Sequence, residues 1–130
     1  MSMKSKGISA ERELIHKFWH RAWAAIRIAG SGSTKYPAPD ILAGNNIRKI
    51  GLECKVTKTK YQHFTDKEIE ELQEFCKVFG AESWIGIKFN HVDWFFLTLE
   101  DLNKTKENYS INLEKAKLRG LSFDEMVEQN

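Results

Sequence analysis

The chain has 130 residues, 42% of them apolar and 12% aromatic, with a formal net charge of +2. This length suits one domain over residues 1–130, no apolar run is long enough to span a bilayer, and the polar start Met1-Ser2-Met3-Lys4 lacks a signal-peptide core, so a cytoplasmic protein is expected. The near-neutral total hides a division: residues 1–60 carry 12 Lys and Arg against 4 Asp and Glu, or +8, while residues 61–130 carry 8 against 14, or −6.

Taken in chain order, Leu14, Ile15, Phe18, Trp19 and Ala22 recur at helical spacing and predict a helix over about Ser9 to Trp23. Ala24 to Ala29 reads as a short apolar strand. Gly30 to Pro39 is a loop of small, polar and proline residues, loose enough to order only against a partner. Asp40 to Ala43 resumes a strand, Gly44-Asn45-Asn46 turns the chain, and Ile47 to Thr57 returns as the second arm of a hairpin. After a polar connector, Thr65-Asp66-Lys67-Glu68 reads as a capping box for a helix that carries Ile69, Leu72, Phe75, Cys76 and Phe79 and stops at Gly80. Ser83 to Phe89 and Asp93 to Thr98 predict two strands around Asn90-His91. Ser110-Ile111 reads as a short edge strand, and Ser122 to Glu125 as the capping box of a final short helix. The order of one helix, three strands, a helix and two strands implies an α/β fold, a mixed central sheet flanked by helices.

Four residues in this order point to chemistry: Glu11, Asp40, Glu53 and Lys55. Glu11 precedes Leu14 and Ile15 by three and four residues, so it continues the apolar stripe, where a carboxylate is costly unless paired or metal-bound. A carboxylate in a frayed first turn, favoured by the helix dipole, is the competing reading. A two-residue Asn45-Asn46 turn would set Asp40 opposite Gly51 and put Asp40, Gly51, Glu53 and Lys55 on one sheet face. Asp40 and Glu53 would then be diagonal neighbours about 7–8 Å apart, with Gly51 leaving the face open. A three-residue loop would send Glu53 to the other face. Paired carboxylates suit a hard cation, Mg2+ or Mn2+, that activates water, with Lys55 beside it to handle a proton or developing charge. Cys54 points away to pack, although its carbonyl lies near the ligands. Neither Cys54 nor Cys76 has Cys or His partners at zinc spacing. Alone, Glu-x-Lys is usually a solvated strand face and Pro-Asp usually a turn; their order and strand context raise the combined signal.

These residues resemble the PD-(D/E)xK nuclease superfamily, and more closely its archaeal Holliday junction resolvase family. The resemblance rests on Lys6-Gly7 before Ala10-Glu11-Arg12-Glu13, then Arg27-Ile28-Ala29-Gly30-Ser31, Pro39-Asp40, Glu53-Cys54-Lys55, and Glu74 to Gly80. It implies a restriction-endonuclease-like fold and a homodimer that nicks four-way junction DNA in pairs with Mg2+ (or Mn2+). It also implies Glu11, Asp40 and Glu53 as metal ligands and Lys55 as the catalytic lysine. By the same resemblance Lys6, Arg12, Arg27, Ser31 and Ser33 face DNA, with Lys35, Lys58 and Lys60 added from the basic half, and Phe75 and Phe79 belong to a dimer-forming helix. Two alternatives remain at this point: a repair or restriction-type nuclease of the same fold, and a DNA-binding protein without catalysis. The segment from about 103 to 130 has no assigned role.

Overall fold

Ser2 opens the first helix by accepting a hydrogen bond from the Ser5 N–H, so α1 runs from Met3 to His20. The structure is a computed structural model, and it describes residues 2–129. The helix starts six residues before the expected Ser9, because its first two turns are solvated and carry no apolar stripe; only Ala10, Leu14 and Phe18 are buried. It also stops short of Trp23, since Ala22 adopts a left-handed backbone with φ 61°. Glu11 therefore sits mid-helix, which removes the frayed first-turn reading.

Next come β1 (Ala24–Arg27), a single 3-10 turn at Ser31–Ser33 inside the expected loop, β2 (Ile41–Gly44), β3 (Lys49–Thr57) and β4 (Tyr61–Thr65). Then follow α2 (Asp66–Phe79), β5 (Glu82–Phe89), β6 (Phe95–Leu97), β7 (Asn103–Lys104), β8 (Asn108–Asn112), α3 (Leu113–Arg119) and α4 (Phe123–Val127). The five-stranded sheet has the order β1-β2-β3-β5-β6. Its central pair, β3 and β5, is parallel, with α2 as the crossover, and all other neighbours are antiparallel. The expected mixed sheet flanked by helices is thus observed.

Three elements depart from the sequence reading. The connector after Thr57 contains β4, and β4, β8 and β7 form a second, three-stranded sheet. The predicted edge strand Ser110-Ile111 lies in β8, which is the middle strand there. The helix α3 was also not foreseen, its seven residues being too few for a clear period.

Two apolar layers hold the sheet. On one side Ala10, Leu14 and Phe18 of α1 pack with Ile41, Ala43, Ile50, Leu52 and Cys54, and Phe123 and Met126 of α4 close the same cluster. On the other, Ile69, Leu72 and Cys76 of α2 meet Ile85 and Ile87, with Phe64 and Ile111 from the small sheet. Gly51 does not leave an open face. A Cβ there would stand 2.4 Å from Cys76 Sγ, so the glycine lets α2 approach β3 closely. The two cysteines are free and buried.

Candidate functional site

The hairpin determines the geometry of the site. Asn45 Oδ1 accepts the N–H groups of Ile47 and Arg48, which stretches the turn to four residues, 45–48. Gly44 then pairs with Lys49, Leu42 with Gly51 and Ile41 with Leu52. The register is two residues from the expected one, so parity is kept along β2, and the paired ladder ends at Ile41, just after Asp40. Asp40 N–H donates to the Leu52 carbonyl at 3.0 Å. Asp40 and Ile41 thus both face Leu52 at the end of the ladder, and the Asp40 and Glu53 carboxylates share the cleft beside it. Glu53 and Lys55 share the α2 side of β3, while Cys54 faces the α1 layer as foreseen.

These residues line one cleft of about 240 Å³, bordered by Glu11, Ser31, Ala38, Asp40, Glu53, Cys54, Lys55, Glu68 and Glu71. Asp40 is fixed from two directions. Ser31 Oγ donates to its Oδ1 at 2.5 Å, and the Cys54 N–H donates to its Oδ2 at 2.8 Å. Glu11 accepts from Arg27 Nε at 2.9 Å, with both side chains mostly buried. Lys55 Nζ lies 2.6 Å from Glu68 Oε2.

The electrostatics follow from crowding acids in a partly dry space. Burial, reinforced by the charge of Asp40, pushes the Glu53 carboxyl up to about 9, so without a cation it holds its proton at neutral pH. Burial and Asp40 also raise Glu11, although Arg27 offsets part of this. Burial pushes the Cys54 thiol up, which leaves it un-ionised and inert. For Lys55, burial works against the charged form, but the hydrogen bond and charge of Glu68 outweigh it and raise the ammonium. Burial would raise Glu68 too, yet the contacts from Lys55 and Thr65 hold its carboxyl below the ordinary value.

An oxygen-rich cluster whose members repel one another fits a hard divalent cation, which would take the place of the Glu53 proton. Among the described residues, however, no group of three His, Cys, Asp or Glu side chains is close enough to form a coordination shell as it stands. The expected set of Glu11, Asp40 and Glu53 shares the cleft but is not preassembled. Glu11 is drawn to Arg27, and both Asp40 oxygens already accept hydrogen bonds.

The other expected contacts fall in different places. Lys6 and Lys58 line a hollow of about 350 Å³ with Lys88 and His91, bringing together the basic residues of α1 and the end of β3. Arg12, Lys35 and Lys60 are exposed. Arg27 is half-buried by Glu11, and Ser33 Oγ donates to the Gly30 carbonyl at 3.1 Å, so that half of the loop is ordered by its own hydrogen bonds. Phe75 and Phe79 stack at 5.4 Å on α2. Phe79 is 48% exposed and its neighbour Val78 is 85% exposed, whereas Phe75 is half-buried against the core. Glu68 and Glu71 were missed. In the sequence Glu68 reads only as a member of a capping box, and nothing local shows that the crossover helix returns it to the cleft.

The family model described as archaeal Holliday junction resolvase (hjc) matches residues 2–130. The crossover junction endodeoxyribonuclease Hjc of Archaeoglobus fulgidus is 37% identical over 130 residues, covering 95% of this chain and 96% of its own. The protein of the same description from Sulfolobus acidocaldarius is 36% identical, covering 98% of this chain and 90% of its own. The solved structure of Archaeoglobus fulgidus Hjc, described as a Holliday junction resolvase from an archaeal hyperthermophile, superposes with a TM-score of 0.85 at 34% identity, covering 92% of this chain and 98% of that one.

Proposed function

The chain belongs to the archaeal Holliday junction resolvase family, and from that premise we propose that its cleft nicks four-way junction DNA in pairs with the aid of Mg2+. It is an endodeoxyribonuclease of a family that is generally dependent on divalent metal. The observation that supports this site for the chemistry is the convergence of Asp40, Glu53 and Lys55 on one cleft, where the charge of Asp40 acts on the Glu53 carboxyl.

Asp40 and Glu53 would hold the cation, and the Cys54 carbonyl and Glu11 complete its surroundings; Mn2+ has the same oxygen preference. The cation supplies a Lewis acid and lowers the pKa of a bound water. Ser31 and the Cys54 N–H keep Asp40 aimed into the cleft. Lys55 stabilises the charge that develops on the scissile phosphate. Lys6, Arg12, Arg27, Ser33, Lys35, Lys58 and Lys60 steer and hold the phosphate backbone, which accounts for the basic first half of the chain.

Two nicks placed symmetrically need two sites, and we read the protein as a homodimer of one nuclease domain per chain. Val78 and Phe79 offer apolar surface, and Phe79 borders a hollow of about 300 Å³ with Trp19, Ile26 and Leu42. No helix of the described residues is long and apolar enough to cross a membrane, which is in keeping with a cytoplasmic enzyme. The experiment is cleavage of an immobile four-way junction beside a linear duplex of the same sequence, with and without Mg2+. Selective, paired, Mg2+-dependent nicking of the junction is expected. Equal cutting of the two substrates would contradict the junction reading.

A further inference from the structure

We propose that Glu68 is the positioning residue for Lys55, with one carboxylate oxygen anchored to the start of α2 and the other holding the lysine ammonium over the cleft. This rests on the reading of Lys55 as the catalytic lysine. Glu68 Oε1 accepts the Thr65 N–H at 3.0 Å and the Thr65 hydroxyl at 3.3 Å, and the Glu68 N–H donates back to Thr65 Oγ1 at 3.1 Å. That reciprocal capping box fixes the glutamate at the first turn of a helix held by Ile69, Leu72 and Cys76. Its second oxygen, Oε2, lies 2.6 Å from Lys55 Nζ, and both side chains are only about a third exposed, 29% and 30%. A four-carbon lysine stem is flexible and would otherwise sample many rotamers. Here its end is tied to a rigid element.

The anchor also decides between competing partners. Lys55 shares its cleft with Glu11, Asp40, Glu53 and Glu71 as well as Glu68. Without Glu68, the carboxylates left for the ammonium include Asp40 and Glu53, the pair the chemistry needs free. Glu68 keeps the lysine off them, while leaving it near enough to meet a phosphate lodged in the cleft.

Glu68→Gln separates the two duties of the side chain, because glutamine still serves a capping box but carries no charge for the lysine. With a saturating four-way junction and Mg2+, the variant should cut about tenfold more slowly than wild type, as is usual when a residue that orients a catalytic group is lost. Metal-free junction affinity should stay unchanged, and the melting temperature should fall only slightly, as for the loss of one partly exposed ion pair. In a Lys55→Ala background the same change should have no further effect, because Glu68 then has nothing to position. Wild-type cleavage by Glu68→Gln, or losses that multiply in the double variant, would overturn the inference. Wild-type cleavage by Lys55→Ala alone would instead overturn the reading of Lys55. If Glu68→Gln also melts early, Thr65→Ala decides, since it breaks the box from its other side and leaves the carboxylate for the lysine. Retained cleavage in that variant supports positioning, and an equal loss overturns it.

Discussion

Asp40 shows how much a single carboxylate in this fold depends on its neighbours. A serine hydroxyl and a backbone N–H approach its two oxygens from different elements, the 3-10 turn and β3. Ser31→Ala removes one of these constraints without touching charge. Single-turnover junction cleavage should slow by about tenfold while binding is kept, and an unchanged rate would mean that the Cys54 N–H suffices to orient the acid. Gly51 sits on the same face under α2. Gly51→Ala forces a methyl group to within van der Waals overlap of Cys76 Sγ, so stability should fall by about 1–3 kcal/mol in urea unfolding. From the sequence Gly51 reads as leaving the sheet face open, because the closeness of α2 is a tertiary fact that neither strand nor helix periodicity encodes.

Among the elements, the β2–β3 loop explains both the success and the error of the sequence reading. Alternation over Ile47 to Thr57 was enough to put Glu53 and Lys55 on one face, and the pairing with β2 keeps its parity because a four-residue loop has the same parity as a two-residue one. What the sequence hid was the Asn45 side chain capturing two N–H groups and widening the turn. The same loop presents Arg48, which clasps three separate parts of the chain. It donates to both Glu82 oxygens at 2.8 Å, to the Met126 carbonyl at 2.9 Å at the end of α4, and lies 5.3 Å over the Trp23 ring. The hydrogen bond from Arg48 holds the Glu82 carboxyl below its ordinary value, against the partial burial that would raise it. A lowered carboxyl contributes stability above its unfolded value and loses it as pH falls through the folded one. Arg48→Met should therefore melt earlier than wild type at pH 7, and the gap should narrow below about pH 4.5, the ordinary value. A gap independent of pH would assign the effect to the α4 and Trp23 contacts alone.

For the whole molecule, the charge division has a structural counterpart: Lys6 and Lys58, distant in sequence, border one hollow. The existence of α1, the helix α2 with its caps, and the central strands were legible because each has its own period or punctuation. The small sheet and the convergence of Glu68 and Glu71 on the cleft were not, since both arise from long-range packing of short, polar segments. The exposed Val78 and Phe79 at the end of α2 make self-association a direct test of the assembly. Wild type should scatter light as a dimer at micromolar concentration and Phe79→Glu as a monomer of about 15.1 kDa; a monomeric wild type would remove the two-site geometry. The central claim is that Asp40 and Glu53 form the metal-dependent cutting site of a junction nuclease. It is tested most directly by adding Mg2+ to Asp40→Asn bound to a four-way junction. We expect wild-type binding with cleavage reduced at least about a hundredfold, as for loss of a group that acts in the transition state. Cleavage at the wild-type rate would contradict the assignment.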